Sequence, residues 1–460
     1  MPLFAPEDPR PIHFVGIAGA GMSALALIAR RRGVAVTGCD TDLSGAADVA
    51  QAGARLFQGH DVEHVAGARA VVHTAAVAPE HAELAAARDA GIPVLRRADA
   101  LQLVVEGGEV VAVAGTHGKT TTTVMTTEAL AAAGRHPTGI AGGRVAKWGG
   151  NSWLDGDALF VVEADEYDKA FLALRPAVAV VGNIEGDHLE CYGGSLATLE
   201  AAFAEFAGRS RRALLGGDDA GAARLARRLI GDCWIVGTGA RADLRISDVQ
   251  RDRQGSRARL ALPDGRALDL KLRVPGLHNV RNAAMAVGAV LALEADVESA
   301  LRALAEFSGV GRRFESVGSA RGVTIVDDYA HHSSEVAATI AAARQRFPEG
   351  RLVAVFQPHL YSRTQVQGEA LGIALAAADR VVVTEIYPAR EDPIAGVSGS
   401  VVADAARRAG AAVEWVPDRT KLVSVLVGEV MAGDVVLTLG AGDITRVGRE
   451  LLERLAGRAA

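Results

Sequence analysis

Val110-Val111-Ala112-Val113-Ala114 runs directly into Gly115-Thr116-His117-Gly118-Lys119-Thr120, and the residues from Thr121 to Gly134 are compatible with a helix. The pattern predicts strand, loop and helix. Glycines let the backbone wrap closely around phosphate oxygens, successive N–H groups and the helix N terminus point at them, and Lys119 adds a mobile positive charge. Thr120 then offers its hydroxyl to Mg²⁺, with Thr121 beside it. The common G-x-x-x-x-G-K-[ST] spacing is not met, because Val113 stands at its first glycine, so the loop is a variant. The competing reading is a glycine turn with a surface lysine.

Outward from this loop, short runs of Val, Ile and Leu recur, each followed by a glycine or polar turn and an Ala-rich segment of helical spacing. That rhythm predicts α/β structure with buried parallel strands. Expected strands are Ile12 to Gly16, Glu109 to Ala114, Ala158 to Glu163, Ala177 to Gly182, Gly322 to Val326, Leu352 to Phe356, Arg380 to Thr384 and Asp434 to Leu439. Between Ala242 and Val274, alternating Leu and Arg around Pro263-Asp264-Gly265 predict antiparallel strands and a hairpin. Gly107-Gly108 and Ser308 to Gly311 are the expected boundaries.

Polar clusters follow these strands, where open α/β sheets place their ligands. Glu163-Ala164-Asp165-Glu166 comes after Phe160-Val161-Val162, and its carboxylates suit Mg²⁺, which takes oxygen ligands alongside substrate phosphates. Asn183-Ile184-Glu185-Gly186-Asp187-His188 follows the next strand, making His188 a second metal-ligand candidate. His60, His64, His73 and His81 are read as ordinary hydrogen-bonded or exposed histidines. Near the amino terminus, Gly16 to Gly21 opens a helix after a strand, and Asp40 ends the following strand. This fits a dinucleotide fold, but Ala18 stands at the middle glycine of G-x-G-x-x-G.

The 460 residues exceed one ordinary core, and three domains are expected. Apolar residues make up 49% and charged residues 23%, an ordinary soluble balance. A net charge of -6 without a broad basic face argues against nucleic acid. Cys39, Cys191 and Cys233 have no C-x-x-C spacing, so neither a disulfide framework nor a zinc site is read from them. With no apolar leader and no run of about 18 apolar residues, a cytoplasmic protein without membrane insertion is expected.

The motifs Gly115 to Thr120, Glu163 to Asp168, Asn183 to His188, His278-Asn279-Val280-Arg281-Asn282, Gly311 to Glu315 and Asp327-Asp328-Tyr329-Ala330-His331-His332 together resemble the Mur ligase family, in order and spacing, from about Ile12 to about Gly442. The resemblance implies a Rossmann-like UDP-sugar-binding domain at 1–108, a central P-loop-type ATP-binding domain at 109–311, and a Rossmann-like amino-acid-binding domain at 312–460. It implies ATP and Mg²⁺, with an acyl phosphate formed on a carboxylate and then attacked by an amine, in peptidoglycan precursor synthesis. His13 to Ile17, Gly19 to Met22 and Phe356-Gln357-Pro358-His359 point to UDP-N-acetylmuramate and L-alanine as the substrates.

By the same resemblance, Lys119 and the loop Gly115, Thr116, His117, Gly118, Thr120 and Thr121 bind ATP phosphates, with Thr120 and Glu163 on one Mg²⁺ and His188 on a second. His278, Asn279 and Asn282 hold ATP, and Asp328 and Tyr329 lie near it. Arg313 reaches the transferred phosphate. Gly16, Ala18, Gly19, Ala20, Gly21, Met22 and Asp40 bind the UDP substrate. His331, His359 and Arg363 face the amino acid, with His331 as the base that takes the amine proton; Arg363 also reads as a surface helix residue. Domains that close only on substrates predict an open apo form, as a monomer or homodimer.

Some residues depart from the family pattern. Leu360 stands where many relatives have arginine, Ser333 where they have proline, and Tyr167 where they have serine. Tyr167 is shared with ligases that attach a recycled tripeptide, but the direct run from Phe171 to Pro176 lacks their insertion. A nucleotide-dependent sensor and a dehydrogenase are further readings, disfavoured by the acidic and histidine set and by Ala18.

Overall fold

The computed structural model describes residues 3–229, 231–389 and 391–457. The chain contains three sheets. The first has strands β1 (Ile12–Val15), β2 (Val36–Asp40), β3 (Arg55–Gln58), β4 (Ala70–His73) and β5 (Val94–Arg96), in the order β3-β2-β1-β4-β5. All four pairings are parallel. That order reverses beside β1, and a reversal opens a crevice at the strand C-terminal ends.

The second sheet holds the phosphate-loop strand. Its members are β6 (Glu109–Ala114), β7 (Pro137–Val145), β8 (Gly150–Leu154), β9 (Leu159–Glu163), β10 (Val178–Val181), β11 (Arg212–Gly216), β12 (Cys233–Gly237), β13 (Leu244–Asp252), β14 (Gly255–Ala261) and β15 (Ala267–Leu272). Their order is β15-β14-β13-β12-β11-β10-β6-β9-β7-β8. β6 therefore lies centrally, parallel to β9 and β10. Its Val and Ala residues are buried, as a strand covered on both faces requires; burying one Val is worth roughly 1.5–3 kcal/mol. Tight turns join β13 to β14 and β14 to β15, giving the expected hairpins.

By packing, Met1–Ser247, Arg259–Leu270 and Arg281–Glu306 form one compact unit. Within it, a continuous apolar core runs from Phe14 and Leu25 to Phe160, Phe203 and Phe206. The second unit comprises Asp248–Ala258, Lys271–Val280 and Phe307–Ala460. It contains the third sheet: β16 (Glu315–Ala320), β17 (Val323–Asp328), β18 (Arg351–Phe356), β19 (Arg380–Val383), β20 (Val413–Trp415) and β21 (Asp434–Leu439), in the order β16-β17-β21-β18-β19-β20. β16 is antiparallel and the others parallel. Helices cover both of its faces with separate apolar cores.

All eight expected strands are present, with ends shifted by a residue or two. No helix among the described residues is long and apolar enough to cross a membrane.

Candidate active site

The loop after β6 ends in the helix Lys119–Ala132, entered through Gly118 at φ 77°. A side chain at Gly118 would also meet the Asn282 amide, so both backbone conformation and close approach require glycine there. The segment after β10 braces the loop. Asn183 Oδ1 accepts from the His117 N–H at 2.7 Å, and Asn183 Nδ2 donates to the His117 carbonyl at 3.0 Å. The Thr116 hydroxyl accepts from the Glu185 N–H at 2.8 Å. Asn183 was quoted only as part of a motif; its role as a clamp arises from the adjacency of β6 and β10.

Lys119 Nζ donates to both oxygens of Glu166, at 2.6 and 2.7 Å. Burial opposes the Lys119 charge, but Glu166, then Asp165 and Glu163, outweigh it and raise the pKa, keeping the ammonium charged. Tyr192 in turn donates to the Glu166 carbonyl at 2.6 Å. Glu166 was expected only as part of an acidic cluster; the structure makes it the direct partner of Lys119.

Glu163 ends β9 opposite Val113 and accepts from the Gly142 N–H at 2.5 Å. Thr120 and Thr121 lie in the first turn of the loop helix, both buried. His188 follows β10 at φ 52°, its ring edge-on to Tyr167 at 5.1 Å and its Nδ1 at 3.5 Å from Glu190. Glu163 thus ends β9, and His188 lies in the segment after β10, the two strands that flank β6. His278 and Asn279 start the helix Leu277–Ala292, which also carries Asn282; Asn279 donates to the Pro275 carbonyl at 2.7 Å.

In the first sheet, the Gly16–Gly21 turn leads into the helix Ala20–Arg31. Asp40, at the end of β2, accepts from the Ala18 N–H at 3.0 Å, tying the turn to the neighbouring strand. Gly19 and Gly21 flank Ala20 at the helix start. Met22 sends its side chain into the core and its N–H to the Gly19 carbonyl at 2.9 Å.

In the second unit, Asp328 ends β17 and accepts from the N–H groups of Phe314 and Ala330, both at 2.8 Å. Burial raises its pKa to about 6, against the opposing pull of Arg313. Arg313 lies over the Tyr329 ring at 5.1 Å and 3.5 Å from Glu335. His331 contacts the Tyr329 carbonyl at 2.9 Å, and its ring lies 5.9 Å from that of His359. His359 stacks on Tyr387 at 5.8 Å and meets the Arg363 guanidinium at 3.3 Å. Arg363 is buried, which overturns its reading as a surface helix residue.

A glycine loop after a central parallel strand, a charged lysine at the helix N terminus and carboxylates on an adjacent strand make an α/β phosphate-handling enzyme. The chain belongs to the Mur ligase family. Residues 11–107 match the family's catalytic domain, 113–290 its middle domain and 312–442 its glutamate ligase domain. The UDP-N-acetylmuramate–L-alanine ligase of Kineococcus radiotolerans is 45% identical, over 97% of this chain and 96% of that one. The ligase of the same name from Cutibacterium acnes is 43% identical over 99% and 98%. The solved UDP-N-acetylmuramate–alanine ligase of Thermotoga maritima superposes with a TM-score of 0.83 at 31% identity, over 97% and 99% of the two chains.

Proposed function

We propose that this chain joins L-alanine to the lactyl carboxylate of UDP-N-acetylmuramate, converting ATP to ADP and phosphate, in peptidoglycan precursor synthesis. The observation that carries the reading is likeness over nearly the whole chain to ligases of that name, at 45% identity, with Lys119 opening the helix after β6 and Glu163 ending the neighbouring β9. The work divides as 1–108 for the UDP-sugar, 109–311 for ATP and 312–460 for the amino acid, acting in the cytoplasm.

A carboxylate resists attack because oxide is a poor leaving group. Transfer of the γ-phosphoryl group to one carboxylate oxygen gives an acyl phosphate and ADP; the amine then forms the C–N bond and phosphate leaves. Lys119 and Arg313 offset charge on the phosphoryl oxygens, and positioning supplies most of the catalysis. His278, Asn279 and Asn282, with Asp328 and Tyr329, hold the nucleotide. His331 takes the proton that the amine loses, and His359 and Arg363 hold the amino acid. Asp40 fixes the turn that receives the UDP-sugar.

The hard oxygens of Thr120 and Glu163 suit Mg²⁺, and one Glu163 oxygen is already oriented by Gly142. His188 would contribute to a second ion. Bound Mg²⁺ neutralises phosphate charge.

ADP release is measured with MgATP and UDP-N-acetylmuramate, comparing L-alanine, the recycling tripeptide and no amine. Release that depends on L-alanine, with the product mass of UDP-muramoyl-alanine, is expected. Release only with the tripeptide transfers the chain to the recycling branch, and no release with any amine refutes ligation.

A further inference from the structure

The first sheet carries a second cluster of metal-binding side chains, which the phosphate chemistry does not use. Glu83, in the first turn of the helix Ala82–Asp89, is fully buried, yet its carboxylate is surrounded by imidazoles and a thiol. Cys39 Sγ lies 3.2 Å from each Glu83 oxygen, 3.5 Å from His13 Nε2 and 3.3 Å from His60 Nδ1. His60 Nδ1 is itself 3.2 Å from Glu83 Oε2. His13, Cys39 and Glu83 form one group whose ligand atoms all fall within 4.8 Å, and His60, His81 and Glu83 form another.

We propose that His13 Nε2, Cys39 Sγ, His60 Nδ1 and one oxygen of Glu83 bind a single thiophilic divalent transition cation, Zn²⁺ or a close analogue. Zinc at about 2.3 Å from sulfur and about 2.0–2.2 Å from nitrogen and oxygen sets tetrahedral ligand atoms roughly 3.3–3.6 Å apart. Four of the six separations among these ligand atoms, those from Cys39 to His13, His60 and Glu83 and that from His60 to Glu83, are 3.2–3.5 Å and match that spacing to within a few tenths of an ångström, and His13 lies within 4.8 Å of Glu83. One thiolate, two imidazoles and one carboxylate select zinc or cobalt over magnesium.

The surroundings supply the outer contacts such a site needs. His13 Nδ1 meets the Thr37 hydroxyl at 2.9 Å, which directs Nε2 at Cys39. The other Glu83 oxygen is held by the Asp61 N–H at 3.1 Å and His64 Nδ1 at 2.9 Å. His64 stacks on Phe57 at 4.2 Å. His13 and Cys39 close the cluster from inside, while His60 and His81 are partly exposed and give an ion a way in.

Because the thiolate is the ligand, the ion takes up the sulfur by displacing the Cys39 proton to solvent. The same residue ties the cluster to the Gly16–Gly21 turn. The Cys39 carbonyl accepts from the N–H groups of Gly16 and Ile17 at 2.8 and 3.1 Å, and the next residue is Asp40. A bound cation therefore staples β1, β2 and the Glu83 helix together beneath that turn.

The full chain, stripped with EDTA and titrated with Co²⁺ in the absence of Mg²⁺ and nucleotide, tests this directly. One equivalent is expected, with the visible bands of tetrahedral cobalt and a near-ultraviolet thiolate-to-cobalt band, all displaced by Zn²⁺. Cys39→Ser loses the thiolate band and at least tenfold in affinity, whereas Cys191→Ser/Cys233→Ser keeps both. Zn²⁺ raises the thermal midpoint of the stripped wild type but not that of Cys39→Ser. Should Cys39→Ser fail to fold, His60→Gln, at the partly exposed edge, must lose the tetrahedral bands instead. Absence of stoichiometric cobalt overturns the proposal, as does a thiolate band that survives Cys39→Ser or disappears in the Cys191/Cys233 variant.

Discussion

The phosphate loop and the Cys39–Glu83 cluster are both polar assemblies built on parallel sheets, yet they concentrate chemistry by opposite routes. Six consecutive residues, Gly115 to Thr120, carry most of the first, and the neighbouring strands add Glu163, Glu166 and Asn183. The second draws on β1, β2, the segment after β3 and a helix start, with one or two residues from each. Helix dipole and backbone N–H groups serve the loop, so its sequence must be local. Apart from the Asp61 N–H on Glu83, side chains serve the cluster, so only the strand order brings it together. The comparison also separates their charges: a fixed cation, Lys119, lies at the centre of one, and a buried carboxylate, Glu83, at the centre of the other.

The largest test of this contrast removes the central cation. Lys119→Met lowers kcat/KM for ADP release by roughly 10²–10³-fold, the usual cost of one donor aimed at developing charge. It also leaves Glu166 buried without its ammonium, a loss of about 3–5 kcal/mol in urea unfolding. Lys119→Met/Glu166→Gln regains most of the stability and none of the activity. If the single variant is as stable as the wild type, the pair does not hold the loop. Glu163→Gln acts more narrowly: the Mg²⁺ needed for half-maximal ADP release rises about tenfold, in the range expected when a metal contact is weakened. An unchanged Mg²⁺ requirement removes Glu163 from the metal site.

The same contrast explains what was legible in the sequence. The loop, the carboxylates of Glu163 to Asp168 and the strand rhythm declare themselves because each is a contiguous run with its own period or spacing. The alternation from Ala242 to Val274 likewise foretells the strands and a hairpin there. Edge strands such as β3 and β5 escape because Arg55–Gln58 and Val94–Arg96 are short and half exposed, with no apolar run to mark them. His60, His64 and His81 read as scattered histidines, and Cys39 as an isolated cysteine. The dinucleotide-fold reading sets β2 beside β1, but nothing along the chain indicates that Glu83 closes over both. The surface reading of Arg363 fails for a related reason: its charge suggests an exposed helix position, whereas the folded chain buries it beside His359.

Asp328 gives an effect of intermediate size in the second unit. Its pKa is raised by burial from an ordinary 3.8 to about 6, so the folded state holds a proton that the unfolded chain releases at lower pH. Its contribution to stability is complete below about pH 4 and is lost as pH rises through about 6, amounting to about 2–3 kcal/mol. Asp328→Asn removes that slope, so the stability difference between variant and wild type shifts in the variant's favour between about pH 4 and 7. Denaturant melts across that range measure it, and a difference independent of pH shows that Asp328 is ionised throughout.

The smallest effect distinguishes a brace of the loop from a brace of the cluster. Asn183→Ala removes one accepted and one donated bond to the His117 backbone, at a cost of about 1–2 kcal/mol. Thr37→Val removes the hydroxyl beside His13 Nδ1 for about 1 kcal/mol. The two losses of stability are similar, but they should part in function. Because Asn183 sets the path of the phosphate-binding backbone, its loss raises the KM for ATP about tenfold, or ~1.4 kcal/mol of binding. Thr37 orients only a proposed metal ligand, so its loss leaves that KM unchanged and weakens Co²⁺ binding about tenfold or more. Asn183→Asp keeps the acceptor for the His117 N–H and loses the donor, and should fall between wild type and alanine. Equal effects of Asn183→Ala and Thr37→Val on the KM for ATP would mean that both act through general stability, and the separation of the two sites would fail.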